Sequence, residues 1–314
     1  MRIGSTHWKF QRPKYKRQNI GTENYSSSYR DVYKRQMEDY TKAKKKLFQY
    51  VLQNHKNNKY AVFPGDDQIG RKRFEEMAFD KKINYSINSS AFLKAENIEQ
   101  SINWTKFTTS YMGKQITINT PLVGKFNVYN ILAALGVATE IWIDIDDAIK
   151  SIEGFTGVEW RMQHIEKNNI HYYVDFAHTP DALEKTLDYL SIIKWPNNKI
   201  ITTFWAPGLR DKEKRPIMWS IVETYSDIVI ITDDDPDTEN RLSIIDQIQK
   251  GFTKKTLWKD LFIIPERKLA ITFATKLAQE WDLLMFAGKG HETVQYTNFE
   301  KRKRSDKEEI LSNL

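Results

Sequence analysis

The sequence predicts an α/β fold in which a mostly parallel sheet forms the C-terminal half and part of another α/β domain precedes it. Four segments of that half are almost continuously apolar, as strands covered on both faces are. They are IHYYVDF, NKIITTF, SDIVIIT and WDLLMFA. Helical patterns alternate with these strands, which favours a doubly wound, Rossmann-like sheet with its ligands at the carboxyl ends of the strands.

The elements can be followed from Met37, where a helical pattern begins. MEDYTKAKKKLFQYVLQNH spaces its apolar residues at helical intervals, namely Tyr40, Ala43, Leu47, Tyr50 and Val51. A strand, KYAVF, and an acidic turn, PGDD, follow, and later a strand, ITINTPLVG, and a buried helix, FNVYNILAALGVATE. The helices predicted between the C-terminal strands are PDALEKTLDYL, RPIMWSIVETY, SIIDQIQKGF and ERKLAITFATKLAQE.

Composition indicates a globular protein long enough for two domains. The chain has 314 residues, of which 40% are hydrophobic and 28% charged. It contains no apolar stretch of about 18 residues and no apolar segment typical of a signal peptide near Met1. Together with the lack of cysteine, these features predict a cytoplasmic protein without a membrane partner.

The net charge of +7 comes from the first 36 residues, which carry nine basic and two acidic side chains. The remaining residues carry 39 of each sign, so no nucleic-acid partner is expected for the folded part. Residues 1–36 are predicted to be a disordered or spurious leader, because they lack periodicity and DVYKRQ resembles a translated transposase end. A basic arm that binds nucleic acid is the alternative.

Polar residues follow the strand IHYYVDF in the segment DFAHTPDAL. Thr179 and Pro180 suit the N-cap and first position of a helix. Asp175 and His178 would then face a crevice beside a helix N-terminus, which suits the ribose and phosphates of a nucleotide. Capping or another structural role is an equally open interpretation of these two residues.

The segment GKGHE follows the strand WDLLMFA. Gly288 and Gly290 flank Lys289 and would allow a ligand to approach the backbone closely. An ordinary turn with exposed charges is the alternative. The charged segment RDKEKR, residues 210–215, is by itself typical of a solvated surface.

Six segments, read together and in order, resemble the Mur ligase family in its UDP-N-acetylmuramoyl-tripeptide synthetase branch, over nearly all of residues 37–314. They are FNVYN, WRM, DFAHTPDALEK, RDKEKRP, DDDPDTE and AGKGHE. The resemblance implies that ATP phosphorylates the D-Glu carboxylate of UDP-MurNAc-L-Ala-D-Glu and that the amine of a diamino acid attacks the acyl phosphate. It implies ATP and Mg²⁺ as cofactors. A monomer is expected. A non-catalytic module that binds a nucleotide or an amino acid is the alternative.

The same resemblance implies the site residues. Lys44 would be carbamylated and linked to Mg²⁺, although a surface lysine is the alternative in this KAKKK run. His178 would be catalytic as well as nucleotide-facing. The other nucleotide-facing positions would be Asn127, Asn130, Arg161 and Asp175, and those near the incoming amino acid Arg210, Asp234, Asp235, Asp237, Gly288 and Glu292.

The sequence departs from the family's DNPR signature, where it has Asp234, Asp235, Pro236 and Asp237. An arginine can bind the distal carboxylate of diaminopimelate through two hydrogen bonds, whereas aspartates repel a carboxylate and attract an ammonium group. We therefore expect a substrate with a cationic end, L-lysine before L-ornithine. If Asp237 points away, selectivity lies elsewhere.

The resemblance also divides the chain. Residues 37–157 would belong to the central, ATP-binding domain and residues 158–314 to the C-terminal domain. No GxxGK[ST] phosphate loop occurs in the sequence. The chain is therefore expected to be N-terminally truncated and inactive by itself.

The tryptophans are the least ordinary feature of the sequence. By the family resemblance, relatives have glycine at the positions of Trp142, Trp160, Trp205, Trp219 and Trp281, and Trp104, Trp195 and Trp258 lie in plausible turns. Gly averages about 7% of residues, roughly 22 in a chain of this length, whereas the sequence has 13 Gly and 9 Trp. We hypothesise that UGA codons meaning glycine were translated as tryptophan; genuine core or stacking tryptophans are the alternative. The eight positions are Trp104, Trp142, Trp160, Trp195, Trp205, Trp219, Trp258 and Trp281.

Overall fold

The structure is a computed structural model, and it describes most of the chain from residue 27 onward. The described residues are 27–159, 161–205, 214–233, 239–249, 252–290, 292–297 and 300–314. The chain divides into two compact units, Met1–Lys59 and Tyr60–Leu314. Within the described ranges no helix is both long and apolar enough to cross a membrane.

Helices and strands alternate along most of the described chain. The helices are α1 (Ser27–Gln53), α2 (Gln68–Glu76), α3 (Lys125–Glu140), α4 (Ile145–Glu153), α5 (Pro180–Ile193), α6 (Lys214–Tyr225), α7 (Arg241–Gln249), α8 (Arg267–Leu277) and α9 (Asp306–Ser312). The strands are β1 (Tyr60–Pro64), β2 (Lys81–Ser86), β3 (Leu93–Lys94), β4 (Glu96–Gln100), β5 (Thr105–Tyr111), β6 (Lys114–Thr120), β7 (Gln163–Lys167), β8 (Ile170–Asp175), β9 (Ile200–Phe204), β10 (Ile228–Ile231), β11 (Leu261–Ile263), β12 (Leu283–Ala287), β13 (Val294–Thr297) and β14 (Glu300–Lys303).

Helix α1 begins at Ser27, ten residues before the predicted start at Met37. Residues 27–36 of the predicted leader thus lie in this helix. These residues contain neither glycine nor proline, and extending a helix that has already formed costs little free energy. In the helical pattern that continues from there, Leu47 and Tyr50 are mainly exposed.

Two small sheets occupy the first part of the second unit. Strands β1, β2 and β3 form a parallel sheet, and β4, β5 and β6 form an antiparallel one. One apolar cluster joins both sheets to α3, with Ile83, Phe107, Ile118 and Leu132 almost completely buried. The predicted helix FNVYNILAALGVATE is thus a core helix, as its apolar composition indicates.

A six-stranded sheet forms the C-terminal half, in the order β11-β10-β9-β12-β8-β7. Every neighbouring pair is parallel except β7 and β8. Alternate strand residues contact α5, α6 and α7 on one face and α8 and α9 on the other. The predicted doubly wound, mostly parallel sheet is confirmed. The short strand β11 and the edge strand β7 were not predicted.

Asp66, in the acidic turn after β1, binds together several elements of the second unit. Its carboxylate accepts hydrogen bonds from the Ile87 and Ser89 amides at 2.7 and 2.9 Å, and from the Tyr129 hydroxyl at 2.7 Å. Burial opposes the charged form, but these hydrogen bonds outweigh it and hold the pKa of Asp66 well below its ordinary value. The turn therefore has a structural role that its sequence alone does not show.

We expect Asp66→Asn to lower the free energy of unfolding at pH 7 by about 1–2 kcal/mol, because the amide group cannot accept all these hydrogen bonds. A depressed pKa contributes stability that is complete above the ordinary value of about 3.9 and is lost as pH falls through the folded-state pKa. The difference between the two proteins should therefore shrink below about pH 4. Urea unfolding across pH 3–7 measures it. Exposed Glu75→Gln is the control, and an equal effect there would contradict the prediction.

Candidate active site at the strand ends

The carboxyl ends of β8 and β12 meet, as the sequence predicts. Ala287 lies beside Asp175 in the parallel register, and the Gly288 amide donates to the Asp175 carbonyl at 3.0 Å. Gly288 and Gly290 have left-handed φ angles of +104° and +51°. A Cβ at Gly290 would lie 2.7 Å from the Cβ of Phe176. Both glycines are therefore needed for this turn to approach the end of β8.

Asp175 presents a nearly buried carboxylate at this junction, with 6% of the residue exposed. It accepts a hydrogen bond from the Met162 amide at 2.7 Å. Burial raises the pKa of Asp175, while the hydrogen bonds from the Met162 and Ala177 amides and the charge of Arg161 oppose that rise. The carboxylate is thus held in one orientation by backbone amides.

His178 is exposed at the start of α5. Its Nδ1 lies 2.7 Å from the Phe176 carbonyl oxygen. Because a carbonyl can only accept, Nδ1 carries the proton and Nε2 of the neutral ring remains available to a ligand. Thr179 Oγ1 accepts from the Ala182 amide at 3.3 Å, with Pro180 in the first turn, so the predicted helix cap is confirmed.

Arg161 adds an exposed cation to the same group. Its guanidinium carbon lies 5.5 Å from the centre of the Phe176 ring, a cation–π distance. The His178 ring centre lies 4.4 Å from that of Phe176 on the same short segment. Arg161, Asp175 and His178, three of the predicted nucleotide-facing residues, are therefore brought together around Phe176.

The 288–292 turn holds a buried cation that the sequence did not identify as a site residue. Lys289 is fully buried, and its Nζ lies 3.1 Å from the Glu292 carboxylate. The Glu292 amide donates to the Lys289 carbonyl at 3.0 Å. Glu292, predicted to bind the incoming amino acid, thus carries an ion pair within its own turn. The position of Lys289 between two glycines is the sequence signal that could have indicated its importance.

Asn127 and Asn130 lie in the first turns of α3 and bind one another. Asn130 Nδ2 donates to Asn127 Oδ1 at 3.1 Å, and Asn127 Nδ2 donates to the Val123 carbonyl at 2.8 Å. Val123 packs in the same core cluster as Ala177, two residues after Asp175. The nucleotide-facing role of the two asparagines stays a prediction.

The other predicted site residues lie in the first unit or outside the described residues. Lys44 is exposed on α1, in the first unit, with its Nζ 5.4 Å from the Tyr40 ring centre. Its carbamylation stays a prediction. Four predicted amino-acid-binding residues lie outside the described residues, namely Arg210, Asp234, Asp235 and Asp237.

Two tryptophans are buried with an unpaired donor. Trp205 and Trp219 are 7% and 5% exposed, and neither indole Nε1 has a hydrogen-bond partner among the described residues. A buried donor without a hydrogen-bond partner lowers the free energy of unfolding by about 1–3 kcal/mol. Trp205 directly follows β9, and a Cβ on Gly288 would lie 1.9 Å from its Nε1. The indole therefore occupies the space beside the glycine turn where a ligand would approach.

Three other tryptophans have a left-handed backbone, with φ of 65° at Trp142, 66° at Trp258 and 70° at Trp281. Trp142 follows the C-cap residue of α3, and the next amide, that of Ile143, donates to the Ala138 carbonyl at 3.0 Å. This is the Schellman arrangement, whose left-handed residue is usually glycine. Trp160 lies outside the described residues, and Trp104 and Trp195, both described, are not left-handed.

Comparison with known families matches both halves of the chain. The family model for the Mur ligase middle domain matches residues 26–138, and that for the Mur ligase glutamate ligase domain matches residues 160–290. This chain belongs to the Mur ligase family. The resemblance and the fold class expected from the sequence are therefore confirmed. The first match begins within the predicted leader.

Curated and solved relatives agree with this assignment. The chain is 34% identical over 275 residues to the UDP-N-acetylmuramoyl-L-alanyl-D-glutamate--2,6-diaminopimelate ligase of Fusobacterium nucleatum, covering 87% of this chain and 54% of that protein. It is 34% identical over 267 residues to the UDP-N-acetylmuramyl-tripeptide synthetase of Borreliella burgdorferi, covering 81% and 52%. A solved structure of a UDP-N-acetylmuramoyl-L-alanyl-D-glutamate--2,6-diaminopimelate ligase is 30% identical with a TM-score of 0.59, covering 88% and 56%. The chain spans about half the length of these relatives.

Proposed function

We propose that this chain belongs to an ATP-dependent ligase that adds a diamino acid to UDP-MurNAc-L-Ala-D-Glu in cytoplasmic peptidoglycan synthesis. The observation that supports it best is the junction of Asp175 and His178 with the glycine turn at residues 288–292, in a chain of the Mur ligase family. We propose that the enzyme acts as a monomer, without a membrane or nucleic-acid partner.

The chemistry follows from the groups at this junction. Transfer of the γ-phosphoryl group of ATP to the D-Glu carboxylate forms an acyl phosphate and ADP, and attack by the amine then forms the amide and releases phosphate. Arg161 would attract the anionic substrates, and Nε2 of His178 would accept a hydrogen bond from one of them. The buried carboxylate of Asp175, held by amides, would keep this segment in place. Catalysis would depend on positioning and charge neutralisation.

One predicted residue of this chain, Lys44, could supply ligands for an Mg²⁺ ion. Lys44 is exposed, so its amine is accessible to carbon dioxide, and a carbamate would supply the oxygen ligands that Mg²⁺ prefers. When bound, the ion would neutralise charge on the transferred phosphoryl group. We propose Lys44 as the residue of this chain that helps to hold it.

We further propose that the chain as written is inactive, because the Trp205 indole lies against Gly288 where the backbone should meet the ligand. The proposal that the eight tryptophans replace glycine is supported by the left-handed backbone at Trp142, Trp258 and Trp281. It is also supported by the unpaired indole donors of Trp205 and Trp219. Overpacking at such positions destabilises a protein or blocks binding.

The diamino acid is proposed to be L-lysine before L-ornithine, because Asp234, Asp235 and Asp237 stand where the family has its DNPR signature. In the longest protein that the gene encodes, with glycine at the eight tryptophan positions, phosphate release should require both UDP-MurNAc-L-Ala-D-Glu and the diamino acid. In a competition assay L-lysine should be incorporated about tenfold or more faster than diaminopimelate, since placing like charges together costs several kcal/mol and about 1.4 kcal/mol corresponds to a factor of ten.

Asp237→Arg is the matched variant for this assay, and it should shift incorporation towards diaminopimelate. If the protein with Asp237 unchanged incorporates diaminopimelate preferentially, L-lysine is not the substrate. Binding of ATP or amino acid without phosphate release would instead favour a non-catalytic binding module.

A further inference from the structure

The edge hairpin of the large sheet carries a cluster of possible metal ligands away from the strand ends. In the antiparallel register of β7 and β8, Glu166 lies opposite His171 and His164 lies opposite Tyr173. Side chains two residues apart on a strand share a face, and so do directly opposed residues. His164, Glu166 and His171 therefore project from one face of the hairpin.

The ligand atoms of these residues are close enough to surround a single ion. His164 Nε2 lies 3.0 Å from His171 Nδ1, and Glu166 Oε2 lies 3.9 Å from the same Nδ1. One possible ligand atom from each of the three residues lies within 4.8 Å of the others. Two nitrogen ligands of a tetrahedral ion with bonds of about 2.0–2.1 Å would be about 3.3–3.4 Å apart. A small movement of the two rings would accommodate the ion.

The cluster is buried on the side of His171 and open to solvent on the side of Glu166. His171 is 2% exposed, and its Nε2 has no hydrogen-bond partner among the described residues, so its polar contacts are made through Nδ1. The rings of Trp195 and Trp281 each lie 6.1 Å from the His171 ring. Glu166 is half exposed, which leaves a route for an ion from solvent.

The chemistry of the donors selects the class of ion. Two imidazole nitrogens and one carboxylate oxygen suit Zn²⁺, Cu²⁺ or Ni²⁺ rather than Mg²⁺ or Ca²⁺, which prefer oxygen ligands. We propose that His164, Glu166 and His171 form a binding site for a divalent transition-metal ion, with Zn²⁺ as the first choice. A water molecule would complete the tetrahedral coordination.

This site uses other residues than the junction described above. His171 precedes Asp175 by four residues on β8, about 13 Å at 3.3 Å per residue, and His164 lies opposite Tyr173, two residues or about 7 Å before Asp175. The ion would connect the two strands of the edge hairpin and stabilise it. The inference does not depend on the ligase proposal, since it concerns only the fold of residues 163–175.

Zinc titration of the untagged, metal-free chain tests the proposal. Calorimetry should give one ion per chain, and saturating Zn²⁺ should raise the melting temperature. Co²⁺ should produce the visible absorption of a tetrahedral site. His164→Gln and Glu166→Gln should each weaken binding at least about tenfold, because they remove a direct ligand. These variants should also lose the increase in melting temperature.

An exposed ligand and an exposed control histidine separate loss of the metal ligand from loss of the fold. Glu166 is half exposed, so Glu166→Gln should fold even if His164→Gln does not, and circular dichroism checks both. His55→Gln, at an exposed histidine of the first unit, should bind Zn²⁺ as the unchanged chain does. Lack of saturable binding, or equal affinity in Glu166→Gln and the unchanged chain, would overturn the proposal.

Discussion

Replacing Trp142, Trp258 and Trp281 together with glycine is expected to raise the free energy of unfolding by about 1–3 kcal/mol. Each of the three has a left-handed backbone, which costs an L-residue about 1–2 kcal/mol. Glycine relieves that strain but loses about 0.5–1 kcal/mol through the greater freedom of the unfolded chain. Trp142 and Trp258 are 89% and 69% exposed, so their removal gives up little buried surface, whereas Trp281 is 41% exposed and its ring lies 5.2 Å from that of Trp195, so its removal also loses packing. Urea unfolding followed by far-ultraviolet circular dichroism measures the change.

The matched control is glycine at Trp104 and Trp195, which are described and do not have a left-handed backbone. Glycine there should lower the free energy of unfolding by at least about 0.5–1 kcal/mol at each position, and by more at Trp195, whose ring lies 5.2 Å from that of Trp281. A triple variant less stable than the unchanged chain would contradict the prediction. The genomic codons test the underlying hypothesis separately, because TGG at all eight positions would mean that tryptophan is the encoded residue.

Arg267→Met is expected to lower the free energy of unfolding by about 3–5 kcal/mol, because it leaves the Asp306 charge buried without its partner. Arg267 and Asp306 are both fully buried, with Nε 2.8 Å from Oδ1 of the aspartate. Arg267 also donates to the Ala287 carbonyl at 3.2 Å. Since Ala287 directly precedes Gly288, the ion pair holds α8 and α9 to the strand end that leads into the glycine turn.

The neighbouring residue gives a matched control for this variant. Lys268 lies on the same helix, is 59% exposed, and pairs with Glu309 at 3.3 Å. Lys268→Met should lower the free energy of unfolding by less than about 1 kcal/mol, since exposed ion pairs contribute little to stability. The double variant Arg267→Met with Asp306→Leu should recover most of the loss, because no unpaired charge remains. Equal losses in Arg267→Met and Lys268→Met would contradict the argument.

Much of the candidate site was predictable because it follows local rules. An unbroken apolar run predicts a central strand, Thr179 before Pro180 predicts a helix start, and two glycines beside Lys289 predict a close turn. The parallel alternation of strands and helices then requires the ends of β8 and β12 to lie on one edge. The roles assigned to Arg210 and Asp237 stay predictions, since these residues lie outside the described structure.

The sequence by itself determined the family, the doubly wound sheet and the segments that form its strand ends, because these depend on the spacing and order of nearby residues. Only the tertiary structure revealed the pairing of Arg267 with Asp306, the clustering of His164 with His171, and the contact of Trp205 with Gly288. The partners in these pairs are 7 to 83 residues apart, and no local preference encodes their contact. The packing of whole strands and helices brings such side chains together, and burial then makes their pairing energetically important.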